Sequence, residues 1–239
     1  MFQMEQKHFW HIGRREIIWE ALKSIPDIHK ARILEIGCGN GSVLAFLHQR
    51  GLNVEGGDIF LEGLQFCRKR DVSVPLYRID ILELPFTANF DVIGLFDILE
   101  HITEDEKALR EAHRALKPEG KILITVPAHA FLWRQADRVA AHKRRYSRAE
   151  IITKLQQNGF TIKKLSYYIS FFLPLFIAMK LVDSIFKKRH PGGIKSILEF
   201  RTIPVINEVC LWLLRFENRV VKRCSLPFGA SMLILAEKK

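Results

Sequence analysis

The stretch from Ile33 to Ser42, Ile-Leu-Glu-Ile-Gly-Cys-Gly-Asn-Gly-Ser, constrains the fold more than any other part of the chain. An apolar run carrying the acid Glu35 gives way at once to Gly37, Gly39 and Gly41, and Val43-Leu44-Ala45-Phe46-Leu47 then starts a helix. A buried strand, a glycine turn and a helix in immediate succession read as the first unit of an open α/β sheet. In such sheets ligands bind at the carboxyl ends of the strands. Glycine tolerates positive φ and lets a ligand approach the backbone closely.

The spacing decides between ligands. The dinucleotide fingerprint is G-x-G-x-x-G, but here Gly37-x-Gly39-x-Gly41 is followed by Ser42, one position out of step. No Gly-Lys-Ser/Thr follows, so a Walker loop is excluded as well. Glu35 stands two residues before the first glycine, where a carboxylate repels a pyrophosphate and suits a cation. The amino-acid half of S-adenosylmethionine, with its ammonium and sulfonium, fits that chemistry. Further along, Asn53 to Asp58 reads as a second strand ending in an acid, placed to grip both ribose hydroxyls. Leu76 to Ile79 reads as a third strand ending at Asp80-Ile81, where the acid can accept from an adenine amino group and Ile81 can pack on the ring. Phe90 to Phe96 reads as a fourth strand.

Taken in order, the Glu35-to-Gly41 turn, Asp58, Asp80-Ile81, Phe90-Asp91-Val92, Asp97-Ile98-Leu99-Glu100-His101 and Leu116 to Pro127 make the chain resemble the class I S-adenosylmethionine-dependent methyltransferases. The likeness spans roughly residues 30 to 165 plus a final strand, and is greatest to the small-molecule branch that includes ubiquinone and menaquinone methyltransferases. It implies an α/β, Rossmann-like sheet of seven strands in the order 3-2-1-4-5-7-6 with strand 7 antiparallel. It also implies S-adenosyl-L-methionine as cofactor, held by Glu35, Gly37, Gly39, Gly41, Asp58, Ile59, Asp80, Ile81 and Phe96. Similar proteins use an N-terminal helix as a lid and place an arginine near the cofactor carboxylate, which makes Arg14 the candidate here. An N-terminal helix whose aromatics simply cover the sheet is the alternative.

Helices are expected near residues 5–24, 42–50, 60–69, 104–116 and 148–158, alternating with strands in the βαβ manner. Thr103 followed by Glu104-Asp105-Glu106 reads as an N-cap with acids in the first turn. Ser147 with Glu150 reads as a capping box. The division expected is an N-terminal helical lid at 1–29, a cofactor-binding domain at 30–168 and 225–239, and a helical insert at 169–224.

Net charge bears on the insert. Of the formal +11, residues 1–160 hold 23 Lys and Arg against 21 Asp and Glu, whereas residues 161–239 hold 14 against 5. A basic excess confined to one end points to an anionic partner surface, lipid headgroups or nucleic acid, or to a solvated basic face. Residues 169–186 are strongly apolar, but Lys180 and Asp183 lie inside them. Each would cost about 2.5–3.5 kcal/mol at a bilayer centre. A single crossing would also strand the last strand on the far side of the membrane. In the second stretch, 203–224, Ile206, Val209, Leu213, Phe216 and Val220 recur at helical steps. Peripheral, interfacial membrane contact is the expectation, with Lys187-Lys188-Arg189-His190 among the basic residues towards anionic lipid. A cap over a greasy pocket or a dimer interface is the alternative. The four cysteines make no CxxC pair. Together with a first segment, Met1 to Lys7, that lacks an apolar run, they suggest a reduced, cytoplasmic setting at an inner membrane face.

Methyl transfer from a sulfonium needs alignment and exclusion of water, and a hydroxyl acceptor also needs a base. His101 is the first candidate for that base, with Glu100 orienting it or touching substrate; a helix-capping role for the pair is the alternative. Asp97-x-x-Glu100-His101 is also similar to an acidic metal pattern of some quinone O-methyltransferases, which carry Glu where this chain has Asp; no metal is expected. Asp97, His129, His142, Arg145 and Tyr146 are the candidate acceptor contacts. A loop held by Arg145 pairing with Asp137 is the competing reading. The acceptor expected is a small or lipid-linked molecule. A nucleic-acid methyltransferase has only the basic C-terminal third in its favour, and a non-catalytic binding protein is opposed by the acids at 35, 58 and 80.

Overall fold

The computed structural model describes residues 7–70, 73–186 and 203–239. The Lys187–His190 run and the start of the expected N-terminal lid therefore lie outside the described residues. The chain opens with α1 (Phe9–Leu22) and then alternates β1 (Arg32–Ile36), α2 (Ser42–His48), β2 (Asn53–Asp58), α3 (Leu61–Arg68) and β3 (Leu76–Arg78). After β4 (Phe90–Phe96) come a short 3₁₀ turn at Leu99–His101, α4 (Asp105–Ala115) and β5 (Leu116–Pro127). The remainder is α5 (Gln135–Val139), α6 (Arg148–Gln157), β6 (Phe160–Tyr168), α7 (Leu173–Phe186), α8 (Pro204–Arg223) and β7 (Ser231–Lys238).

The sheet runs β3-β2-β1-β4-β5-β7-β6, as expected. β1 pairs with β2 and β4 in parallel, and β7 lies antiparallel between β5 and β6. Side chains alternate across a strand, and both faces of this sheet are covered, so neighbouring apolar residues enter different cores. Ile33, Val92, Leu123 and Leu233 join α1 and α2 on one face. Leu34, Ile93, Ile122, Ile124 and Ile234 join α4 and α6 on the other.

Local signals were obeyed unevenly. Ser147 caps α6, accepting from the Glu150 amide at 3.1 Å. Thr103 does not cap α4; its hydroxyl accepts from Lys143 instead, and Glu104 takes the cap position without a side-chain bond.

The two segments placed at opposite ends of the sequence pack together. Asn207 of α8 accepts from the Phe9 amide at 2.8 Å and donates to the Lys7 carbonyl at 2.8 Å. Asn218 donates to the Gly13 carbonyl at 3.1 Å. Gly13 permits that approach, since a Cβ there would lie 2.5 Å from Leu214 Cδ1. Glu217, fully buried, accepts from the backbone amides of Ile169, Ser170 and Phe171 and so ties the entry to α7 onto α8.

This docking leaves the periodic apolar stripe of α8 on its outer side. Leu211, Leu214 and Val221 point inward together with Asn207, Glu217 and Asn218. Ile206, Val209 and Phe216, from the periodic apolar stripe, point outward, joined by Val205 and by Trp212 at 62% exposure. Trp212 stacks on Phe216 at 6.1 Å, and Phe216 meets Phe171 at 6.1 Å, which joins the exposed face of α8 to the base of α7. On α7, Leu175, Ile177 and Leu181 are exposed too. Among the described residues no helix is long and apolar enough to cross a membrane.

Candidate active site

The glycine turn lies between β1 and α2 with Gly37, Gly39 and Gly41 at φ +71, +53 and +74. The Gly37 and Cys38 amides donate to the Gly57 carbonyl at 2.7 and 3.1 Å, which pins the turn to β2. Asp58, at the end of β2, accepts from the Gly39 amide and from the Phe60 amide, each at 2.8 Å. A carboxylate has about four acceptor positions, so two remain for a ligand's hydroxyls. Ile59 beside it is exposed. Beyond Gly39 the space is open, with no atom within 4 Å of where its Cβ would stand.

Glu35 is buried beneath this turn, and its Oε2 has no hydrogen-bond partner among the described residues. Burial pushes its carboxyl up to about 8, against the pull of Arg14. An orphaned acid beside an open glycine cradle suits a cationic ligand. Asp80 is exposed, with Oδ1 accepting from the Leu82 amide at 2.9 Å. Two expectations are corrected here. Ile81 is buried in the core beside Leu84, so it has little surface to offer a ring. Phe96 is also buried, and its carbonyl accepts from Arg14 at 2.6 Å.

Arg14 reaches from α1 to the end of β4, where it is ion-paired with Asp97. Burial opposes its charge, but Asp97, Tyr168 and Glu35 more than offset that and raise it above the usual guanidinium range. Asp97 itself has φ +55, a strained setting for a non-glycine residue.

A cavity of about 190 Å³ opens next to this pair. Its wall includes Asp97 and Glu100 from the strand-4 end, Arg134, His142 and Arg145 from the loop after β5, and Trp10 of α1. Leu132, Ile169 and Phe176 make it apolar on the other side. Glu100 is 0% exposed and neither carboxylate oxygen has a hydrogen-bond partner among the described residues. Burial and the nearby Asp97 push it well above the usual carboxylate range. His142 Nδ1 lies 2.9 Å from Asp137 Oδ1, and its Nε2 lies 4.0 Å from Glu100 Oε1.

The loop behind the wall is held by Asp137. Arg145 grips it through Nε at 2.8 Å and a terminal nitrogen at 3.0 Å, and also donates to the Ala128 carbonyl. The pairing weighed as an alternative is thus present. Tyr146 is corrected outright: it is 0% exposed, and its hydroxyl donates to Asp105 at 2.8 Å and lies 3.1 Å from the Leu99 carbonyl, so it braces the core and touches no acceptor. His129 is outside the wall, stacked on Tyr167 at 5.2 Å and 2°. His101 is outside it too, edge-on to His142 at 4.8 Å, and burial lowers it below the usual imidazole range. No bond joins Glu100 to it. Glu100, His101 and His142 bring one potential ligand atom each to within 4.8 Å of one another. Asp97, first in the acidic pattern, is committed to Arg14, and the charges of Arg14 and Arg145 both bear on Glu100.

Sequence reading offered Asp137 as the partner of Arg145 but missed its contact with His142, and missed Arg134 and Phe176 as wall residues. Only the Asp137–His142–Arg145 combination of residue types carried a signal.

Comparison with known proteins agrees with this geometry. Residues 34–124 match a family described as "Methyltransferase domain". Over 100 residues the chain is 29% identical to a ubiquinone biosynthesis O-methyltransferase of Idiomarina loihiensis, covering 39% of this chain and 41% of the relative. It is 28% identical over 130 residues to a demethylmenaquinone methyltransferase of Renibacterium salmoninarum, covering 54% and 52%. The matches thus span about half or less of these relatives' length. Among solved structures, an S-adenosylmethionine-dependent methyltransferase of Mesorhizobium loti superposes with a TM-score of 0.60 at 17% identity, covering 93% of this chain and 98% of that one. The phosphoethanolamine N-methyltransferase 2 of Haemonchus contortus, in complex with S-adenosyl-L-methionine, gives 0.59 at 20% identity, covering 93% and 52%. The strand order and these superpositions show that the chain has the fold of the class I S-adenosylmethionine-dependent methyltransferases.

Proposed function

We propose that this chain transfers a methyl group from S-adenosylmethionine to a hydroxyl of a small-molecule or lipid-linked acceptor, working as a peripheral protein on an anionic membrane face. The observation that carries the reading is Glu35: a buried acid whose Oε2 has no partner among the described residues, beside three positive-φ glycines and an Asp58 with acceptor capacity to spare. Glu35 would take the ammonium of the cofactor, Asp58 the ribose hydroxyls, and Gly39 the space between. The bound sulfonium supplies an already activated methyl. The chain's own part is to hold the acceptor in the cavity beside Asp97, to exclude water with Trp10, Leu132 and Phe176, and to take up a proton. The quinone-pathway names of the relatives support a small acceptor, and a hydroxyl is favoured because the cavity wall carries a histidine and an acid rather than a purely apolar lining. The exposed apolar face of α7 and α8, in the basic third of the chain, supports contact with lipid.

The test is incubation of the purified protein with methyl-labelled S-adenosylmethionine and fractionated lipid and metabolite extracts. Label is expected in an organic-soluble or small-molecule product, identified by mass spectrometry as one CH₂ heavier than its precursor. Absence of cofactor binding by calorimetry, together with no labelled product, would overturn the reading.

A further inference from the structure

We propose that His142, oriented by Asp137, is the group that removes the acceptor's proton. This rests on the methyl-transfer reading above and replaces His101 in that role. The argument starts with position. His142 is on the cavity wall and His101 is not. Its side chain is 18% exposed, so it is accessible from the cavity yet held by its surroundings.

Next comes the tautomer. His142 Nδ1 is 2.9 Å from Asp137 Oδ1. A carboxylate only accepts, so the Nδ1 hydrogen donates to it and the lone pair of the neutral ring is fixed on Nε2. Nε2 faces Glu100 Oε1 at 4.0 Å, too far for a hydrogen bond, and so keeps its lone pair for a third party. A buried carboxylate holding a histidine by Nδ1 with Nε2 turned to the reacting site is the logic of the hydrolytic triads. Burial works against ionisation of Asp137, but hydrogen bonds from His142 and Arg145 outweigh it and hold its carboxyl below the usual range. The orienting acid is therefore charged when the ring must become imidazolium.

The step balances. The acceptor O–H donates to His142 Nε2. As the oxygen forms its bond to the methyl carbon, the carbon–sulfur bond breaks and its electron pair stays on sulfur, giving the neutral thioether. The proton ends on His142, whose positive charge faces Asp137, and leaves to solvent in the next step. The groups facing the imidazole are Asp137 of α5, Glu100 and His101 of the 3₁₀ turn, and Arg145 of its own loop. Asp137 is a positioning residue, since it acts through His142.

Two measurements test the assignment. Nitrogen-15 NMR of histidine-labelled protein is expected to show the neutral His142 ring protonated at Nδ1, with Asp137→Asn shifting it towards the Nε2-protonated form. A ring protonated at Nε2 in the unaltered protein overturns the proposal, with no acceptor needed. With catechol as acceptor, His142→Gln is expected to lower kcat about 10²–10⁴-fold while KM for S-adenosylmethionine stays within twofold. Asp137→Asn should lower kcat and move the pH profile, with cofactor affinity as the check on folding. The loss falling on His101→Gln instead, or a rate abolished by EDTA and restored by Mg²⁺ or Zn²⁺, also overturns it. Absence of any methylated product from catechol and extracts alike defeats the function reading, while the NMR result still decides the state of His142.

Discussion

Arg14 of α1 is ion-paired with Asp97 at the end of β4, and the same guanidinium donates to the Phe96 carbonyl. The N-terminal helix is thereby fastened to the strand end from which the reacting groups project. Both side chains are largely shielded from water, at 15% and 19% exposure, so the two charges face each other with little solvent around them.

Replacing only one member is therefore expected to be costly. Arg14→Met or Asp97→Leu should each lose about 3–5 kcal/mol in urea unfolding, because an uncompensated charge remains buried. The double variant should be less destabilised than either single one. A double variant whose loss equals the sum of the two would show that the pair acts independently.

Gly37 and Gly39 separate folding from binding. An alanine Cβ at Gly37 would lie 2.1 Å from Ile98 Cδ1 at φ +71. Gly37→Ala should lose about 2–4 kcal/mol from strain and overpacking together. At Gly39 the added methyl meets nothing, so only the backbone strain of about 1–2 kcal/mol applies. Thermal melts should rank them in that order, while calorimetry should show Gly39→Ala still losing cofactor affinity more than tenfold. An unchanged affinity would remove Gly39 from the site.

Glu35 sets a pH dependence. Its folded value is raised to about 8 from 4.5, so the folded protein holds a proton that the unfolded chain releases between those values. Its contribution is therefore present at low pH and is lost as pH rises towards 8. Glu35→Gln should flatten that slope, raise the melting temperature of the ligand-free protein at pH 8, and abolish cofactor binding. Binding of a cation by the native protein at pH 7 should release about one proton. Calorimetry in two buffers of different ionisation enthalpy would detect it, and equal heats in both would contradict it.

Trp212 and Phe216 test the membrane half of the reading. Both are exposed, so Trp212→Glu with Phe216→Glu should leave the melting temperature within a few degrees. Co-sedimentation with vesicles of phosphatidylcholine and phosphatidylglycerol should fall at least tenfold. Binding that survives the double substitution would place the lipid contact elsewhere.

The first strands could be read from the chain because each is a short, largely apolar run with an acid at or near its end, at Glu35, Asp58 and Asp80, whereas the order of the strands in the sheet came only from the likeness to class I methyltransferases. Periodicity found α8 and its apolar stripe, Ile206, Val209 and Phe216, which is exposed. What it did not show is the inner side, where Asn207, Glu217 and Asn218 bond to Lys7, Phe9, Gly13 and the backbone at 169–171. Which side is inner depends on partners 200 residues away in sequence, which local pattern does not contain. Tyr146 was misread for a related reason. A tyrosine between Arg145 and a capping serine looks exposed, but its hydroxyl is claimed by Asp105, and that bond exists only once α4 packs beneath the loop. The distinction between His101 and His142 likewise awaited the cavity.

The Glu217 carboxylate has a mechanical consequence. It binds the root of α7, whose Phe176 lines the cavity, to a helix that is itself stapled to α1, whose Trp10 lines the same cavity. The rim is thus a closed linkage. The outer face that carries Trp212 and the cavity residues Trp10 and Phe176 share one frame, braced from within by Glu217 and Asn218.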